Sequence, residues 1–86
     1  MKNILYDWLN SIDTILDSLA LPGEESYINL RVWNNSGSSI VNLTEIIDMS
    51  KSLRESVNMS NSEDGIDLIR NDIVYLYGLL INREVL

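Results

Sequence analysis

The residues that could do chemistry in this chain are carboxylates and hydroxyls, with little else beside them. It has 13 Asp and Glu, no histidine and no cysteine. The two absences remove the commonest general base, the most nucleophilic side chain and the usual ligands of transition metals. What is left is paired-carboxylate chemistry or the binding of a hard cation by oxygen. The stretch SNSEDGIDLIRN, residues 60–71, has the outline of a calcium loop, with acids before Gly65 and an apolar residue after it. It fails at the ligands. With Gly65 in the glycine position of such a loop, Ser60 comes first and Asn71 last, where aspartate and a bidentate glutamate are needed. Glu63, Asp64 and Asp67 are better explained as acids complementing the start of a helix. The sequence has no glycine-rich phosphate loop and no nucleophile elbow. A chain of 86 residues also leaves little room for a substrate cleft. These residues therefore point to a protein that is not an enzyme and uses no metal and no cofactor.

The elements that must position these groups are legible from periodicity. Ile4, Leu5, Trp8, Leu9, Ile12, Ile15, Leu16 and Leu19 fall on one arc at helical spacing and predict an amphipathic first helix. Pro22 and Gly23 end it. In YINLRVW, residues 27–33, Ile28, Leu30 and Val32 alternate with Tyr27, Asn29, Arg31 and Trp33, as in a strand with one buried face. Asn34 to Gly37 supply turn chemistry, and Ser39 to Val41 a short return strand. Asn42 with Glu45, and Ser60 with Glu63, read as capping boxes opening a second and a third helix, the third ending near residue 83. The apolar stripe of the second helix is interrupted at Ser50. The third is apolar on two sides: Ile66, Ile69, Ile73, Leu76, Tyr77, Leu80 and Ile81 form one face, and Leu68, Tyr75 and Leu79 a second stripe. Gly78 within it suggests a close neighbour. The expectation is a single α+β domain over residues 1–86, ordered helix, β-hairpin, helix, helix, with the helices on one face of a short antiparallel sheet.

The charges are unevenly placed. The net charge is −7, from 13 acidic and 6 basic residues. That balance disfavours direct contact with nucleic acid or an anionic membrane and favours a basic protein surface. No basic residue lies between Lys2 and Arg31, an interval holding Asp7, Asp13, Asp17, Glu24 and Glu25. Asp13 and Asp17, four apart, are expected as like-charged neighbours on the solvent side of the first helix, where the dipole also disfavours them. The longest apolar run, residues 73–81, is far short of the roughly 20 residues a bilayer span needs. Asp7 and Asp13 interrupt any signal-peptide core, which together with the lack of cysteine points to the cytoplasm.

Tyr, Arg and Trp are the residues most enriched at binding hot spots. Asp13, Asp17, Glu24 and Glu25, together with Tyr27, Arg31 and Trp33 on the open side of the hairpin, are therefore the expected partner-binding surface. The expected function is occlusion of a basic, nucleic-acid-handling protein such as a nuclease, with carboxylates standing in for phosphates. Immunity proteins, antitoxins and phage anti-defence proteins, including anti-CRISPR inhibitors, have this profile. The alternative is a homo-oligomeric structural or regulatory component that self-associates through Leu68, Tyr75 and Leu79.

Overall fold

The computed structural model describes residues 2–86. Helix α1 (Lys2–Asp17) leads through a 3-10 turn (Glu25–Tyr27) into strands β1 (Asn29–Asn34) and β2 (Gly37–Asn42). Helices α2 (Leu43–Met59) and α3 (Glu63–Ile81) follow, and the chain closes with a two-residue strand, β3 (Glu84–Val85). The sheet is antiparallel with order β2-β1-β3. The expected order of helix, hairpin, helix, helix is therefore present. The added strand β3 pairs Val85 with Leu30 and Glu84 with Arg31, too short a segment to leave a periodic signal.

Local chemistry explains the boundaries. The Ser18 hydroxyl donates to the Ile15 carbonyl at 2.6 Å and closes α1, earlier than the apolar arc suggests. Leu21, Pro22, Gly23 and Glu24 form a turn closed by Glu24 N–H to Leu21 C=O at 3.0 Å, with Gly23 at φ 86°. Proline then glycine at the two central positions is the type II pattern. In the hairpin, Asn34 pairs with Gly37 across Asn35 and Ser36. The Asn34 side chain accepts from Ser36 N–H at 2.8 Å, and Gly37 takes the positive φ, 118°, that the exit from this turn requires.

Asn42 joins three elements. Its Oδ1 accepts from Thr44 N–H at 3.0 Å and so caps α2, while its Nδ2 donates to the Ser26 carbonyl at 2.8 Å and to Asn29 Oδ1 at 3.1 Å. The cap of α3 is Ser62 rather than Ser60; its hydroxyl accepts from Gly65 N–H at 3.1 Å. Ser60 instead ends α2, donating its N–H to the Ser56 carbonyl.

The core is aliphatic. Leu5, Leu9, Ile12 and Leu16 of α1 meet Leu30 and Val32 of β1, Leu43, Ile46 and Val57 of α2, and Ile66, Ile73, Leu76, Leu79 and Leu80 of α3. Each such side chain contributes about 1.5–3 kcal/mol through burial. Alongside it runs a polar seam between α1 and α2. The Tyr6 hydroxyl donates to Asn58 Oδ1. Arg54 donates to Asn10 Oδ1 at 3.0 Å and to Asp13 Oδ2 at 2.7 Å, and Ser50 donates to Asp13 Oδ1 at 2.7 Å. As the α1 number rises the α2 number falls by matching steps, so these helices are antiparallel.

The seam explains the interrupted stripe of α2, because Ser50, only 2% exposed, spends its hydroxyl on Asp13. Changing Asp13 to alanine leaves that hydroxyl without its acceptor and should cost about 1–3 kcal/mol in urea unfolding. Ser50→Ala removes the buried donor as well and should cost less, about 0.5–1.5 kcal/mol. Equal losses would show that the seam does not depend on satisfying Ser50.

Candidate functional site

The register of β1 assigns its faces. Leu30 and Val32 are buried, whereas Arg31, cross-strand from Ile40 and Glu84, lies on the other face with Trp33. Trp33 is 42% exposed, so it is not part of the core. Arg31 is not a free cation; its guanidinium lies 3.7 Å from Glu84. Tyr27 falls in the 3-10 turn before β1, not on the strand, and is 80% exposed.

The expected acidic surface is divided by the fold. Asp17 and Glu24 are exposed and Glu25 half-buried, all within the segment from the end of α1 to the 3-10 turn that carries Tyr27. Asp13 does not stand free beside Asp17. It is half-buried and committed to Ser50 and Arg54, which relieves the like-charge contact expected from the spacing. At roughly 3.3 Å per residue, Trp33 stands about 13 Å along β1 from Asn29, so it and the Tyr27 acids occupy opposite ends of the strand. The seven residues therefore do not form one compact patch.

Of the stripe expected to self-associate, Leu68 and Tyr75 are exposed, but Leu79 is only 7% exposed and belongs to the core. Conversely Tyr77 and Ile81, read from the sequence as core, are partly exposed at the margin of α3. Trp8 behaves likewise. It sits on the shoulder of α1 opposite the polar seam, and with Ser11, Ile73, Val74 and Tyr77 it lines a hollow of about 290 Å³ between α1 and α3.

Two more grooves continue this hollow across α3. One, of about 480 Å³, lies between the hairpin end at Trp33 to Ser36 and the outer side of α3 at Val74, Tyr75, Gly78, Leu79 and Asn82. The other, of about 490 Å³, is bounded by Asp48, Met49, Ser52 and Leu53 of α2 and by Asp72 and Tyr75 of α3. Val74 is common to the first two and Tyr75 to the last two, so they form one band. No helix among the described residues is long and apolar enough to cross a membrane. The chain matches no family model, no curated protein and no solved structure.

Spacing alone keeps the members of the band apart, with Tyr75 and Leu79 in the stripe expected to self-associate, Trp33 on the hairpin, and Trp8, Ile73 and Tyr77 in the apolar arcs of α1 and α3. The available signal was the width of those arcs. Ile4, Trp8 and Ile15 stand to one side of the buried line Leu5, Leu9, Ile12, Leu16, which is more apolar surface than a single contact stripe needs. Gly78 was expected to mark a close neighbour, and the structure reverses this. A β-carbon built there meets nothing within 4 Å, because the residue underlies an open groove.

Two measurements check this description. Gly78→Ala should raise stability by about 0.5–1 kcal/mol, since alanine restores helix propensity without a clash. A lower melting temperature would mean that the space over Gly78 is occupied. The single-tryptophan variants Trp8→Phe and Trp33→Phe should each leave an indole that acrylamide quenches readily; a blue-shifted, protected indole in either would remove that residue from the surface.

Proposed function

We propose that this chain is a small non-enzymatic binding protein that occludes a basic protein partner, as a nucleic-acid-handling enzyme would present. The single observation that carries this reading is the segment Asp17 to Tyr27. Asp17, Glu24 and Glu25 have no ion-pair partner among the described residues, and they flank an almost fully exposed tyrosine. Arg31 and Arg54 are engaged elsewhere, with Glu84 and Asp13.

The physics favours recognition over catalysis. Unpaired surface carboxylates on a chain of net charge −7 attract a cationic surface over about 8 Å at physiological ionic strength. That attraction raises the rate of encounter and rejects anionic competitors. A tyrosine adds rigid contact area at low entropic cost, the role it plays at binding hot spots. Carboxylates set along the partner's cationic groove then take the place of phosphates. This is how an immunity protein, an antitoxin or a phage anti-defence protein such as an anti-CRISPR inhibitor would act.

The test is affinity capture from a bacterial lysate at low and high salt, using the wild type and the triple variant Asp17→Asn/Glu24→Gln/Glu25→Gln. Asp13 is left intact because its loss would disturb the α1–α2 seam. The expected outcome is a basic partner retained at low salt by the wild type and depleted about tenfold by the triple variant, the equivalent of about 1.4 kcal/mol. Identical captured proteins from both would remove the acidic segment from the mechanism.

A further inference from the structure

We propose that the band across α3 is a docking site for an apolar segment of a protein partner, with lysine or arginine on that segment facing Asp48 and Asp72. The proposal rests on the reading that the partner is basic, and it names the surface that meets the partner's apolar part.

Aromatic and aliphatic side chains bound the band at its α1 end and at its hairpin end. Trp8, Tyr77 and Val74 bound the hollow against α1, and Trp33 and Tyr75 flank the groove over Gly78. Exposed aromatic residues in contiguous grooves are the usual anchor sites of a protein interface, where they pair with apolar side chains of the partner. Gly78 is the second observation. It weakens the helix, and no neighbour in this chain uses the room it leaves. The missing side chain gives the groove depth, enough for an inserted residue of the partner.

Charge chooses the occupant. No lysine or arginine lines any of the three grooves, and the one beside α2 carries two exposed carboxylates, Asp48 and Asp72. Arg70, one turn before Val74, is already paired with Asp67 at 3.7 Å. A second copy placed across a two-fold axis would bring the same aspartates and the same net charge of −7 against this face. An apolar segment flanked by cations gains from both features, through buried rings and through attraction at the rim.

The probes are two synthetic amphipathic helical peptides that share a leucine and phenylalanine face, one with lysine and arginine on its polar side and one with glutamate. Both tryptophans of the protein line the band, so their emission reports occupancy directly, and backbone amide shifts by NMR map the contact. The expected result is a saturable blue shift with the cationic peptide and binding about tenfold weaker with the glutamate peptide. Gly78→Gln fills the groove with a good helix former and should weaken the cationic peptide about tenfold without lowering the melting temperature. The triple amide variant at Asp17, Glu24 and Glu25 should bind it nearly as the wild type does. Equal binding of both peptides, or no binding of either, overturns the proposal. Amide shifts confined to residues 17–27, with loss of binding in the triple variant alone, also overturn it and leave the proposed function standing. Sedimentation showing a dimer that Gly78→Gln dissociates would overturn it in favour of a second copy.

Discussion

The packing of this protein depends on one carboxylate. Asp13 accepts hydrogen bonds from Ser50 and Arg54 of the neighbouring helix, and so fixes how far α1 slides along α2. The constraint matters because the core is built almost entirely from leucine, isoleucine and valine. Such side chains supply the driving force, but they distinguish poorly between registers of similar volume. The polar seam distinguishes well. A shift of one turn would part Tyr6 from Asn58 and Asn10 from Arg54, and would take Asp13 away from both Ser50 and Arg54. The exposed part of the ion pair is worth little, about 0.2–1 kcal/mol. The more buried contact of the seam is the hydrogen bond from Ser50, only 2% exposed, to the same carboxylate.

That register sets the other side of α1. With the polar shoulder turned to α2, the shoulder carrying Trp8 is turned to α3, and the hollow against Ile73, Val74 and Tyr77 follows. The seam and the aromatic band are two consequences of the same rotation of α1.

Much of the fold was legible in the sequence. The period of 3.6 in α1 and α3 and the alternation in β1 come from burial, and burial decides both helix and strand. The hairpin turn and the second-helix cap were legible because Asn34, Gly37 and Asn42 have specific backbone roles there. What escaped was set by contacts between distant residues. Strand β3 exists because the exit from α3 brings Glu84 and Val85 beside β1, which two residues do not announce. Ser62 displaced Ser60 as the cap because Ser60 is taken up in ending α2, its N–H on the Ser56 carbonyl. Ser50 looked like a flaw in a stripe until Asp13 stood opposite it. The site was less legible for the same reason. Helical spacing places Asp13 and Asp17 together, yet it is blind to Arg54, 41 residues later, which takes one of them away. Leu79 and Trp8 exchanged roles because an arc of apolar residues states that a side is hydrophobic without stating where the neighbouring helices stop.

The distribution of exposed groups then separates two kinds of force. The carboxylates from Asp17 to Glu25 act through a field that reaches about a Debye length, roughly 8–10 Å, into solvent. The rings along α3 act only at contact, by removing their own surface from water at about 25 cal/mol per Å². Field and contact surface lie at opposite ends of β1, with Asp48 and Asp72 the only acids lining the grooves of the band. A surface of this kind would show salt dependence in its association rate more than in its dissociation rate, because the screened charges guide approach while desolvated rings govern release. On that division a polyanion would meet repulsion from the net charge of −7, and a wholly polar cation would gain nothing from the rings. Under the proposed function, a partner that is both basic and locally apolar would satisfy both ends of the strand.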